Sequence, residues 1–256
     1  KIINCLPDVY KKKIQKLGMS FGVHSGFKHS ETQFLIGLFL NNLNVNFKID
    51  RLLFVRLINT YKAQQKHCNF INTTRSLERF EDCIVGKDKT ILFQTRCFLH
   101  ENNADVLGIH EQRYHLIKLL RNNFPDKFLG GFIPSKIAIE KYNAAITNIP
   151  SNPEIYLDAL KNAKIVLYTR GLANSPAWKM AEYLSQGKVI MAEPLTAELT
   201  VPLTHGKEVL FFNTDEELIN NINLVLKDNS LSETLSKNAR TYFETHVHPV
   251  KNVKRI

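Results

Sequence analysis

The residues best suited to chemistry are concentrated in one stretch, Tyr168 to Pro194, which reads YTRGLANSPAWKMAEYLSQGKVIMAEP. An apolar run ends at Thr169, a loop carrying Arg170 and Gly171 follows, and Ser175-Pro176 has the residue types of a helix N-cap and a first-turn proline. Gly187 stands where that helix should stop, immediately before another β-rich run. A helix start behind a parallel strand presents unpaired backbone N–H groups and the positive end of the helix dipole, which favour an anion such as a diphosphate. Arg170 would offer that anion a planar fork of donors, and Lys179, one turn into the helix, a point charge. Glu182, three residues beyond Lys179, could accept hydrogen bonds from two adjacent ribose hydroxyls, as acidic residues do in other nucleotide folds. The bland alternatives are a Lys179–Glu182 pair on a solvated helix face and a loop surface charge for Arg170. Trp178, Met180 and Leu184 have the spacing of a core-facing stripe, and Ser175 lacks the Gly-x-Ser-x-Gly elbow of a nucleophile.

Such a site needs a sheet edge, and the chain from about Thr90 onward supplies one. The runs Thr90–Thr95, Phe128–Ile133, Lys164–Thr169, Lys188–Glu193 and Glu208–Asn213 are short, β-branched or aromatic, and apolar at successive positions, as strands buried on both faces are. Helical spacing over Glu111–Phe124, Pro153–Asn162 and Ser175–Gln186 separates them. That alternation predicts an α/β domain with a doubly wound, Rossmann-like parallel sheet. Thr214 with Glu217, and Ser230 with Glu233, mark two closing helices by the capping-box pattern. The earlier part differs: it is polar around Asn41–Asn46 and Tyr61–Asn72, with a loop over Gly18–Gly26 and a helix over about Ser30–Asn41. The polar turn Gly86-Lys87-Asp88-Lys89 reads as a linker, dividing a smaller α/β domain at 1–87 from a larger one at 88–256.

With 256 residues and 44% hydrophobic content the chain can bury a real core, which excludes a disordered protein. The longest apolar runs, such as Phe34 to Leu40, are too short to span a membrane. A formal charge of +10 favours an anionic partner: nucleic acid, an acidic membrane surface, or a phosphorylated small molecule. The basic clusters Lys11–Lys13 and Lys251–Arg255 are not interleaved with the aromatic residues of single-strand binders, so nucleic acid is not the expected partner. Cys5, Cys68, Cys83 and Cys97 lack paired spacing and read as free thiols of a reducing cytoplasm. Nothing near Lys1 has the basic, apolar, then small-residue pattern of a secretion signal. The histidines show no HExxH or similar spacing, so no metal is expected. No Gly-x-Gly-x-x-Gly follows a strand, which argues against dinucleotide binding.

The segment SPAWKMAEYLSQGKVIMAEPL resembles the donor-binding segment of bacterial glycosyltransferases of the GT-B fold, especially group 1 and spore-maturation-type transferases. In that family a helix carrying Lys and then Glu-Tyr-Leu-Ala precedes a Gly-Lys-x-Ile strand. The resemblance continues through HGKEVLFFNTDEELINNI and SLSETLSKNARTYFETHVHP and covers roughly residues 88 to 250. It implies a nucleotide-sugar donor held by Arg96, Arg170, Gly171, Ser175, Lys179 and Glu182, with Glu182 on the ribose and the basic residues on the phosphates. It also implies a glycan or glycolipid acceptor, work at or near the inner face of a membrane, no essential metal or other cofactor, and a final segment from His246 that returns to the first domain. On that scale 1–87 is short for the acceptor-side domain and is read as incomplete. Many retaining members carry a second Glu eight positions before the ribose-binding one; Asn174 stands there in this chain, which leaves the stereochemical outcome open. If the reaction inverts, His24, beside Ser25-Gly26, is a candidate base for the acceptor hydroxyl, against the plainer reading of a loop histidine. The rival readings are a non-catalytic nucleotide-binding module and a basic nucleic-acid-binding protein.

Overall fold

The computed structural model describes residues 74–83, 90–99 and 103–253, with a scatter of positions between 19 and 66. The expected Gly18–Gly26 loop, the Ser30–Asn41 helix, the Gly86–Lys89 turn and His24 lie almost wholly or wholly outside the described residues. Contacts divide the chain into two compact units, Gly22–Asp82 and Lys1–Phe21 with Cys83–Ile256. In the first, a short helix, α1 (Leu77–Glu81), buries Leu77 and Phe80.

The second unit contains a five-stranded, all-parallel sheet: β1 (Ile91–Thr95), β2 (Phe128–Phe132), β3 (Ile165–Tyr168), β4 (Val189–Ala192) and β5 (Leu210–Phe211). Its order is β2-β1-β3-β4-β5. Each strand falls within its predicted run. β1, β3 and β4 are buried at every position, because helices cover both faces. Ile91, Phe93, Ile165, Leu167, Val189 and Met191 share a core with Leu116, Ile117 and Leu120 of α2 (Ala104–Asn123) and with Leu218, Ile222 and Val225 of α6 (Asp215–Lys227). The two-residue period of a strand turns Leu92, Val166 and Ile190 to the opposite face. α5 (Lys179–Ser185) packs on β3 and β4, and α7 (Asn229–Tyr242) packs on α5 and β4. The doubly wound α/β class is therefore as expected.

α2 and α7 depart from their predicted starts through a cap, one capped helix lies outside the predicted set, and α5 starts late through a turn. α2 begins at Ala104 rather than Glu111, because Asn103 Oδ1 accepts the Asp105 N–H at 2.9 Å. α3 (Lys136–Lys141) has no predicted counterpart; Ser135 Oγ caps it through the Ala138 N–H at 3.2 Å. α4 (Pro153–Asn162) matches its predicted range, with Asn152 as its cap. Ser230 does not cap α7: Asp228 Oδ1 accepts the Leu231 N–H at 2.9 Å, which starts the helix at Asn229. Thr214 caps α6 as expected, its Oγ1 accepting the Glu217 N–H at 3.2 Å while the Glu217 carboxylate accepts the Asn213 N–H at 2.6 Å.

The fourth departure bears on the site. α5 begins at Lys179, and Ser175 is exposed in extended backbone ahead of it, not an N-cap. Instead the chain after β3 closes on itself: the Gly171 N–H donates to Ser175 O and the Ser175 N–H to Leu172 O, both at 3.0 Å. Ala173 sits between them in the left-handed region at φ 51°, ψ 35°. Its N–H donates to Asp105 Oδ2 at 2.8 Å, a contact 68 residues away in sequence that fixes this turn and delays the helix. C-terminal to α7, a π-helical turn (Phe243–Val247) leads into α8 (Pro249–Val253). A π turn of this kind often marks a functional position in a helix.

Candidate functional site

In a 2-1-3-4-5 sheet the chain runs one way from β1 to β2 and the other way from β3 to β5. The neighbouring helices therefore diverge at the carboxyl ends of β1 and β3, leaving the crevice where open α/β sheets bind ligands. The loops leaving those two strands carry Arg96 and Arg170.

Arg113 ties the two loops together. Its buried guanidinium donates to Arg96 O at 3.0 Å, to Thr169 Oγ1 at 3.4 Å and to Arg170 O at 3.4 Å, and lies 5.0 Å from the Phe98 ring centre. Burial pulls its pKa down to about 10, so it is charged at neutral pH. Nearby, His110 Nε2 accepts the Phe98 N–H at 2.7 Å, which anchors the β1 loop to α2 a second time.

Lys179 reaches the same place from α5. Its Nζ donates to Gln94 O in β1 and lies 4.7 Å from the centre of the Tyr156 ring. The ammonium is withdrawn from solvent, and this desolvation pulls its pKa down to about 8; Glu182 opposes the shift, while Arg113 and Arg96 add to it. Those four charges form one electrostatic cluster. Glu182 is 6% exposed, which rules out a solvated-face carboxylate.

Arg170 lies beside this cluster, half-buried, and is already engaged: its guanidinium pairs with Asp105 at 2.5 Å. Its backbone N–H donates to Glu193 Oε2 at 2.9 Å. Gln112 Nε2 donates to the other Glu193 oxygen. Desolvation raises the Glu193 pKa, with the Arg170 N–H and the Arg170 and Arg113 charges opposing it. Asp105, by contrast, is held below its ordinary value by the Ala173 N–H and by Arg170. Gly171 is buried, and a Cβ there would meet Ser175 Oγ at 2.8 Å and Ser175 O at 2.9 Å, so only glycine fits the closed loop.

Lys179, Glu182 and Arg96 thus share one electrostatic neighbourhood, Arg170 and Gly171 border it, and Ser175 faces solvent. Sequence reasoning missed Arg113, Asp105 and Glu193. A further correction concerns Trp178, expected in the core with Met180 and Leu184. The two aliphatic residues are fully buried, but Trp178 is 60% exposed. It is the residue before the helix proper, and the buried run begins only at Met180.

The domain is thus of the doubly wound α/β class, with its topological switch point between β1 and β3, where folds of this class bind ligands. The sequence profile of the family described as Glycosyl transferase-like matches residues 115–256, more than half of the chain, and the chain belongs to that family. No curated protein matches the chain. Among solved structures it is similar to WaaG, a glycosyltransferase involved in lipopolysaccharide biosynthesis, at 12% identity and a TM-score of 0.47 over 95% of this chain and 55% of that one. It is also similar to the C-terminal domain of a glycosyl transferase group 1 family protein (LpcC) from Francisella tularensis, at 12% identity and a TM-score of 0.43 over 66% of this chain and 91% of that one. A glycosyltransferase from Rickettsia africae aligns at 13% identity and a TM-score of 0.44, over 73% of this chain and 52% of that one. The chain therefore spans about half the length of two of these structures.

Proposed function

We propose that this chain binds a nucleoside-diphosphate sugar and serves transfer of that sugar to a hydroxyl of a glycan or glycolipid. Membership of the glycosyl transferase-like family supports the reaction class. The observations that support the site are the reach of the Lys179 ammonium from α5 to Gln94 O in β1 and the tie that Arg113 makes between the loops leaving β1 and β3, which carry Arg96 and Arg170.

In this reading the diphosphate rests against Lys179 and Arg96, and the donors of Arg170 not used on Asp105 complete its cradle. Glu182 accepts the ribose hydroxyls. Arg113 holds the two loops at the spacing the diphosphate needs and contributes charge from below. As the bond between the anomeric carbon and the diphosphate breaks, negative charge grows on the leaving phosphate. A fixed cationic cluster in a poorly solvated crevice stabilises that charge without reorganising. Lys179 and the arginines do the work that a divalent cation does elsewhere, so the transfer is proposed to need no metal.

The test is a thermal-shift panel of UDP, GDP, ADP and CMP, because a ligand bound only by the folded state raises apparent stability. One diphosphate should stabilise the chain, and Glu182→Ala should abolish that gain. No shift from any nucleotide would remove the support for a donor site.

A further inference from the structure

Arg170 is fixed at its backbone and at its tip. Its N–H donates to Glu193 Oε2 at 2.9 Å, its carbonyl accepts from the Arg113 guanidinium at 3.4 Å, and its own guanidinium donates through Nη1 to Asp105 Oδ1 at 2.5 Å. A guanidinium carries several N–H donors in a rigid fork. Among the described residues, the other donors of this fork have no hydrogen-bond partner. A long cationic side chain is thus held in one place with most of its donors uncommitted.

Asp105 does the holding. It stands in the first turn of α2, where an acidic residue is an ordinary partner of the helix dipole, yet both of its oxygens turn to the β3 loop. While Oδ1 pairs with Arg170, Oδ2 accepts the Ala173 N–H at 2.8 Å, across 68 residues of sequence. Ala173 is left-handed at φ 51°, a conformation that costs an alanine free energy and needs support from its surroundings. Hydrogen bonds between Gly171 and Ser175 and between Ser175 and Leu172 close the turn around it. One carboxylate therefore fixes both the shape of the loop and the direction of the cation that the loop carries.

We propose that Asp105 is a positioning residue for anion binding, holding the Arg170 fork so that its uncommitted donors meet a phosphate already ordered. The assignment rests on the donor-site reading above. Its sign is opposite to that of simple charge. A carboxylate beside an anion site repels the anion, so by Coulomb's law alone its removal tightens binding. Both side chains keep contact with water, at 28% and 33% exposure, which screens that repulsion. Ordering a long side chain at the moment of binding, by contrast, weakens affinity by about fivefold for one such residue. The ordering effect therefore wins.

The test is a double-mutant cycle read by calorimetric titration of the full chain with UDP, GDP and ADP. Asp105→Asn keeps an oxygen for the Ala173 N–H but presents an amide, not a carboxylate, to Arg170. It should weaken the nucleotide that binds the wild type about fivefold, and should cause no loss in an Arg170→Ala background. Ala173→Gly adopts left-handed backbone freely, so repeating the cycle in that variant keeps the turn in place if Asp105→Asn loosens it. Tighter binding by Asp105→Asn makes the carboxylate a competitor of the phosphate and overturns the proposal. An equal loss with and without Arg170 makes Asp105 a support of the fold alone and overturns it too. Arg170→Ala that binds as the wild type does has the same effect. All three results leave the donor site standing, whereas no binding of any of these nucleotides by the wild type overturns both.

Discussion

Lys179 carries a charge in surroundings that disfavour it, and the sign of that shift makes opposite predictions for folding and for binding. Its pKa is about 8 in the folded chain, below the ordinary lysine value, so between the two the unfolded chain holds more protons than the folded one. Below pH of about 8 the buried charge therefore reduces stability, and this penalty lifts as pH rises toward the unfolded value. Anion binding needs the charge. Affinity for a nucleoside diphosphate should thus fall as pH rises through about 8, while Lys179→Arg, which stays protonated, should flatten that fall. Calorimetric titrations at a series of pH values check both; an unchanged pH profile in Lys179→Arg would take Lys179 out of the site. At this scale the sequence singled out candidates that share one short segment. Lys179 and Glu182 could be found from a helix start and a carboxylate one turn on. Arg113 could not, because an Arg within a helical pattern is a surface residue by default, and its three acceptors lie 17, 56 and 57 residues away.

The elements that hold these residues rest on a few positions whose replacement should be costly. Gly130 and Gly131 in β2 have φ of 127° and 138°, and a Cβ would fall 2.1 Å from Phe93 O at Gly130 and 2.3 Å from Ala145 O at Gly131. Gly130→Ala should therefore force β2 away from β1 and destabilise the domain by about 2 kcal/mol or more, read from urea unfolding. Thr214→Ala removes the α6 cap and should cost about 1 kcal/mol by the same measurement. The strands were legible because burial on both faces leaves an apolar run that no surface element imitates. Cap positions were less so. Ser230 and Asp228 both have capping side chains, and only the tertiary path of the chain selects Asp228. Ser175 failed as a cap for a similar reason: Asp105 takes the Ala173 N–H and sets a turn that local propensity does not contain. The same delay in α5 put Trp178 outside its expected stripe.

For the molecule as a whole, a net charge of +10 should draw anions to the crevice and make their capture sensitive to salt. Diphosphate affinity should drop as salt rises from low to physiological strength, and more steeply in the wild type than in Lys179→Met. A steep salt-dependent affinity for RNA or DNA, with no affinity for nucleoside diphosphates, would instead favour a nucleic-acid-binding protein. Among the described residues no helix is long and apolar enough to cross a membrane, and no three His, Cys, Asp or Glu side chains are grouped to hold a metal ion. The family assignment rests on residues 115–256. The β1 loop and the N-terminal part of α2, which carry Arg96, Asp105 and Arg113, fall outside that span; of these the sequence singled out only Arg96, and Asp105 and Arg113 emerged from the fold.

The most direct measurement is an experimental structure of the chain with the stabilising nucleoside diphosphate bound. The account predicts the diphosphate within hydrogen-bonding distance of Lys179 Nζ in the crevice between β1 and β3, and the ribose hydroxyls on the Glu182 carboxylate. A nucleotide seated elsewhere, or one whose ribose leaves Glu182 untouched, would contradict it.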